Sequence, residues 1–159
     1  MRRILIGAVL ATATLAATAS AQDAAQAVKE RHDIMASIWP NYYRGFAQVA
    51  RGESTDVAAI PQKASEAVAT LKHFAMLFPA GSGPDKFPQS RAKAEIWSDR
   101  AGFDAAVNTL ISETEKLGEA AKTGGVDAVK AQFPKVSQAC GGCHGGPPKS
   151  GGKYRTEAQ

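Results

Sequence analysis

The residues with the most chemistry in this 159-residue chain are Cys140-Gly141-Gly142-Cys143-His144. On a helix, residues three or four apart share a face. Two thiols at that spacing reach one edge of a flat cofactor. His144, four residues after Cys140, then turns its imidazole beneath the ring. Cys-x-x-Cys-His is the attachment signature of c-type haem. It predicts one haem c, held by thioethers from Cys140 and Cys143, with His144 as the proximal iron ligand. Three other readings compete. A disulfide is the ordinary fate of an exported cysteine pair. A thioredoxin-like dithiol needs a preceding strand, and none is visible here. A zinc site needs a fourth ligand, and neither His32 nor His73 has ligand spacing to the cysteines.

The sixth iron position decides what such a haem does. Met35 lies on the apolar seam of the first predicted helix, where its thioether would face the iron opposite His144. The competing reading makes Met35 core filler over a five-coordinate iron. His32 and His73 are weaker candidates and read as solvated or boundary histidines. Arg31, four residues before Met35, shares its face. It reads either as a bidentate partner for a haem propionate or as a surface arginine.

Four segments with helical periodicity position these residues. Helix A is expected from about Ala24 to Arg51. Its seam is Val28, Met35, Tyr42 and Val49, with Ile38 and Phe46 between them and a proline kink at Pro40. Helix B starts at Asp56 or Ile60 and runs to Phe78, with Ile60, Ala64, Ala67, Leu71, Phe74 and Phe78 on one face. Pro61 suits its first turn. After a long loop, helix C ends near Lys122, preceded by a turn at Glu95-Ile96-Trp97. Phe103, Val107, Leu110, Thr114, Leu117 and Ala121 form its stripe, and Gly124-Gly125 closes it. Helix D, about Val126 to His144, carries Val126, Val129, Phe133, Val136, Cys140 and Cys143 on one stripe, with an expected break at Pro134. Both cysteines thus continue a core-facing seam. The fold class expected is all-α, an antiparallel up-down-up-down four-helix bundle with the cofactor in its interior. The glycine- and proline-rich stretch 145–159 reads as a flexible tail.

Residues 1–21 read as a secretory signal peptide. Arg2 and Arg3 precede an apolar run from Ile4 to about Ala17, and Ala19-Ser20-Ala21 supplies a cleavage site before Gln22. The run is short for a membrane anchor. The expected location is the periplasm, and the haem domain is 22–144. Removing Arg2 and Arg3, with no acid in the segment, lowers the formal charge from +4 to +2. Two propionates would bring the holoprotein near neutral, and no basic stripe with interleaved aromatics points to nucleic acid.

The chain resembles the class II c-type cytochromes, the cytochrome c′ group. The resemblance rests on the C-terminal haem motif, the Arg31-x-x-x-Met35 pair, Ala50-Arg51-Gly52-Glu53, and Glu95-Ile96-Trp97-Ser98-Asp99. It covers about Asp23 to His144. Cytochrome c′ is itself a known example of the up-down bundle, so the two readings of the fold are not independent. The resemblance implies that Arg31 lies near the haem and that Met35 faces the distal side of the iron. In low-spin members a methionine there is the sixth ligand. In high-spin members the distal residue is a bulky non-ligand, and nitric oxide or carbon monoxide binds. The leading expectation is an electron-transfer protein with Met35 bound and redox proteins as partners. The alternative is a five-coordinate gas binder. A catalytic haem enzyme would need a distal acid or base, and none stands beside Met35. Family members commonly dimerise through their first two helices, and an exposed strip of Tyr43, Phe46 and Val49 would suit a homodimer. Two departures stand out. Pro40 interrupts a helix that is usually unbroken. Gly145-Gly146-Pro147-Pro148 separates His144 from Lys153-Tyr154-Arg155, which leaves the proximal face more open or differently covered.

Overall fold

The computed structural model describes residues 10–145 and 151–156, with side chains from Asp23 onward. Helix α1, Leu10–Ile38, runs into a π-helical turn, Trp39–Tyr43, and then α2, Arg44–Ala50. Helix α3 is Ile60–Met76, α4 is the short Glu95–Ser98, and α5 is Arg100–His144. Helix α5 is two bundle helices in one run. Gly125 (φ 62°, ψ −146°) turns the chain between them, in a region essentially restricted to glycine. The bundle therefore consists of α1 through α2, α3, and the two limbs of α5, and the described residues form no strand. The start of the apolar leader lies outside the described residues. From Leu10 onward it is helical and continuous with the first bundle helix. No described helix is long and apolar enough to cross a membrane.

The stripes on α3 and α5 face inward as expected. Ile60, Ala64, Ala67 and Leu71 are buried, as are Phe103, Val107, Thr114, Leu117, Ala121, Val129 and Val136. They form two apolar clusters. One packs Tyr43, Phe46 and Val49 against Ile60, Ala64, Leu117, Val129 and Val136. The other holds Leu71, Phe78, Ile96, Phe103, Val107 and Tyr154, with Met35 and Cys143 packed on it. The haem-motif end of the molecule is this second cluster.

Three expectations are corrected, and the break expected in helix A at Pro40 takes a definite form. Pro40 does not continue the α-helix. It sits in the first turn of the π segment, where the Arg44 N–H donates to the Trp39 carbonyl five residues back. The wider turn absorbs the hydrogen bond that proline cannot make. It also shifts the register, so Tyr43 rather than Tyr42 takes the most buried position. The strip Tyr43, Phe46 and Val49 is therefore core, with Phe46 and Val49 each 1% exposed, and offers no dimer surface. Pro134 does not interrupt α5, whose only non-helical backbone is at Gly125. Within a helix already held by Val129 and Val136 on the core, the loss of one hydrogen bond is tolerated. Finally, residues 151–156 of the expected flexible tail are docked. Tyr154 is 3% exposed, Ala92 and Arg155 form an antiparallel bridge, and Thr156 N–H donates to the Arg91 carbonyl at 2.9 Å. Glycine makes this docking feasible. A Cβ on Gly152 would lie 2.2 Å from the Cys143 carbonyl oxygen, so only a bare backbone approaches that closely. Residues 146–150 and 157–159 of the same stretch lie outside the described residues.

Candidate haem site

The last turn of α5 presents Cys140, Cys143 and His144 to one cavity of about 1520 Å³. Pockets for drug-sized ligands span about 300–1,000 Å³, so this one accommodates a larger cofactor. Met35 lines it from α1, Tyr43 from the π turn, and Leu71 and Phe74 from α3. Phe103 and Val107 line it from the first limb of α5. The sequence thus brings together residues more than a hundred positions apart because the Gly125 turn returns the second limb alongside the first.

The donor set fits a covalent haem. Both thiols are free. Burial pushes the Cys140 thiol up to about 11 and raises Cys143 as well, so both stay protonated at neutral pH in the haem-free chain. His144 is held below its ordinary value, mainly by burial and then by the charge of Arg155. Its imidazole is neutral at neutral pH, the form that ligates iron. Among the described residues, no three or more acidic, cysteine or histidine side chains are grouped so as to hold a metal ion by themselves.

Arg31 is neither a surface residue nor paired with an acid. It is 5% exposed and lines the cavity. It donates to the Ser82 carbonyl at 2.8 Å, Ser90 Oγ at 2.9 Å, Ser82 Oγ at 3.1 Å and the Leu77 carbonyl at 3.4 Å. Its guanidinium stands 4.9 Å from the Phe78 ring and 5.6 Å from the Trp97 ring. Desolvation pulls its pKa down to about 10. A buried cation with only neutral acceptors is half of a pair, and a carboxylate of the cofactor would complete it. Trp97 is fixed by its own Nε1–H, which donates to the Pro79 carbonyl at 3.1 Å.

Met35 is half-buried in the apolar wall. His32 lies at the cavity rim with an exposed side chain. His73 lies outside the cavity and pairs with Glu30 at 2.6 Å between α1 and α3. Sequence reasoning missed Tyr154 and Arg155, which also line the cavity. The signal was present in the aromatic-basic pair after the motif, but the intervening glycines and prolines obscured it.

The sequence profile of the family described as Cytochrome C′ matches residues 26–146. The chain belongs to the cytochrome c′ family. A cytochrome c′ of Cereibacter sphaeroides is 32% identical over 146 residues, covering 91% of this chain and 95% of that one. One from Rubrivivax gelatinosus is 35% identical over 104 residues, covering 65% of this chain and 80% of the relative. Among solved structures, the Rhodobacter cytochrome c′ has a TM-score of 0.72 at 27% identity, covering 85% of this chain and 98% of its own. The nitric oxide complex of a mutant cytochrome c prime from Alcaligenes xylosoxidans has a TM-score of 0.71 at 25% identity, covering 85% and 97%. Like other cytochromes c′, this protein is a four-helix bundle that binds one c-type haem.

Proposed function

We propose that this protein is a periplasmic, five-coordinate cytochrome c′ that binds small diatomic gases, nitric oxide or carbon monoxide. In this reading His144 is the only protein ligand to iron. Cys140 and Cys143 carry the haem, and Arg31 faces a propionate. The bound haem supplies an iron with one open position for a diatomic ligand. Met35 stands in the apolar wall with Leu71 and Phe74. Its bulk restricts that position to small ligands and excludes water. The observation that carries the reading is this apolar wall, in a family where a solved relative is a nitric oxide complex. His32, three residues before Met35, is an exposed rim side chain beside Asp33, which favours binding over catalysis.

The electron-carrier expectation, with Met35 bound to iron, is the second reading. Its support is that Met35 and His144 line one cavity. The optical spectrum of the purified holoprotein separates the two. The expected ferric spectrum is high-spin, without a far-red methionine–iron band, and the ferrous form takes up carbon monoxide freely. A far-red band that disappears in Met35→Ala would overturn the gas-binding reading.

A further inference from the structure

The haem motif needs no help from residues 151–156, yet they lie against the turn that carries it. Tyr154 N–H donates to the Cys143 carbonyl at 3.4 Å, one of the C-terminal carbonyls that a helix leaves without a partner. Lys93 N–H donates to the Tyr154 carbonyl at 3.1 Å, which joins the strap to the segment before α4. The Tyr154 ring meets Phe103 edge-on, with centroids 5.4 Å apart.

The strap converges on one carboxylate. Lys153 Nζ donates to Asp99 Oδ2 at 2.5 Å, and the Tyr154 hydroxyl donates to the same oxygen at 3.3 Å. Asp99 Oδ1 accepts from Gly102 N–H at 3.1 Å and caps the start of α5. A Cβ on residue 102 would lie 2.7 Å from the Tyr154 hydroxyl, so Gly102 leaves the space the latch occupies. The N-cap residue of α5 thus holds the segment that covers the helix's last turn.

We infer that Asp99, Lys153 and Tyr154 form a latch that positions His144, fixing the direction in which its imidazole meets the iron. The inference rests on His144 being the proximal ligand, as proposed above. The three are positioning residues, acting through the Cys143 backbone. The Lys153–Asp99 pair is about half exposed, at 54% and 44%, so salt weakens it. At 1 M salt the screening length is about 3 Å.

The test is the histidine–iron stretching frequency of the ferrous holoprotein, read by resonance Raman in a Met35→Ala background. There the iron keeps only His144 under either reading of Met35. Asp99→Asn keeps the cap, because asparagine caps as well as aspartate, but loses the lysine. It is expected to lower and broaden the band. Tyr154→Phe should do so less, and Asp99→Glu should restore part of the shift. Salt at 1 M should move the band in the protein with the intact latch and leave Asp99→Asn unmoved. A melting temperature that falls in Asp99→Asn while the band stays in place means a structural tie only, and overturns the inference. If Asp99→Asn fails to fold, the salt arm decides, and a band indifferent to salt overturns it equally. A low-spin ferrous protein before the Met35 substitution overturns the gas-binding function alone, because the substituted background still reads the latch.

Discussion

Arg31 shows how one residue's role depends on partners far away in the chain. Spacing alone places it on the Met35 face. Its partners Leu77, Ser82 and Ser90 come from the loop after α3. Replacing Arg31 with methionine fills similar space but leaves buried carbonyls unpaired, at a cost of about 1–3 kcal/mol. Chemical denaturation of the holoprotein should show a lower midpoint of that size. The buried hydroxyl pair Tyr43–Thr114, 2.8 Å apart, makes a sharper prediction. The single Thr114 hydroxyl hydrogen goes to the Leu110 carbonyl at 2.8 Å, so Tyr43 is the donor to Thr114 Oγ1. Thr114→Val strands that donor and is expected to cost about 1–3 kcal/mol. Tyr43→Phe removes the donor itself and should cost about 1 kcal/mol or less. Equal losses in thermal unfolding would contradict the assigned direction.

At the scale of elements, the two limbs of α5 depend on Gly125. Its φ of 62° with ψ of −146° suits no residue with a side chain. Gly125→Ala should destabilise the holoprotein by about 1–3 kcal/mol, read as a fall in melting temperature with the haem spectrum unchanged. The strap adds a pH dependence. The Asp99 carboxyl sits below its ordinary value, chiefly through the hydrogen bond from Lys153, then through that from Gly102 N–H, with smaller contributions from the lysine charge and the Tyr154 hydroxyl. A carboxyl lowered by docking binds fewer protons docked than free. The contribution of Asp99 to docking is therefore fully present above the ordinary value of 3.8 and fades as pH falls through the lowered one. Hydrogen exchange at the Tyr154 and Thr156 amides should show protection at neutral pH that is lost only in acid.

The whole molecule is built around its cofactor. A cavity of about 1520 Å³ with apolar walls from every bundle helix leaves the second core cluster without its filling when the haem is missing. Native interiors are close-packed, so the haem-free chain has no equivalent core at this end. A Cys140→Ala/Cys143→Ala chain is expected to keep helical far-ultraviolet dichroism while losing a sharp thermal transition and binding a hydrophobic dye. A cooperative transition at the holoprotein's temperature would show that the bundle stands without the haem. The remaining core, Phe46, Val49, Leu117, Val129 and Val136, explains why helices persist.

The sequence by itself determined the haem motif, the four helical stripes, and the placement of Arg31 and Met35 on one face. Each of these depends on local spacing. Residues three and four apart share a helical face whatever lies beyond. Only the tertiary structure decided the rest, because each remaining feature needs a partner distant in the chain. Pro40 becomes a π turn that sends Tyr43 inward. Pro134 stays in a helix held on both sides by core valines. Arg31 is buried by the loop after α3. Gly151 and Gly152 read as flexibility, yet Gly152 lets the chain lie bare against the Cys143 carbonyl and bring Tyr154 back to Asp99. Composition cannot distinguish a loose glycine segment from a closely docked one, since the difference lies in the surface it meets.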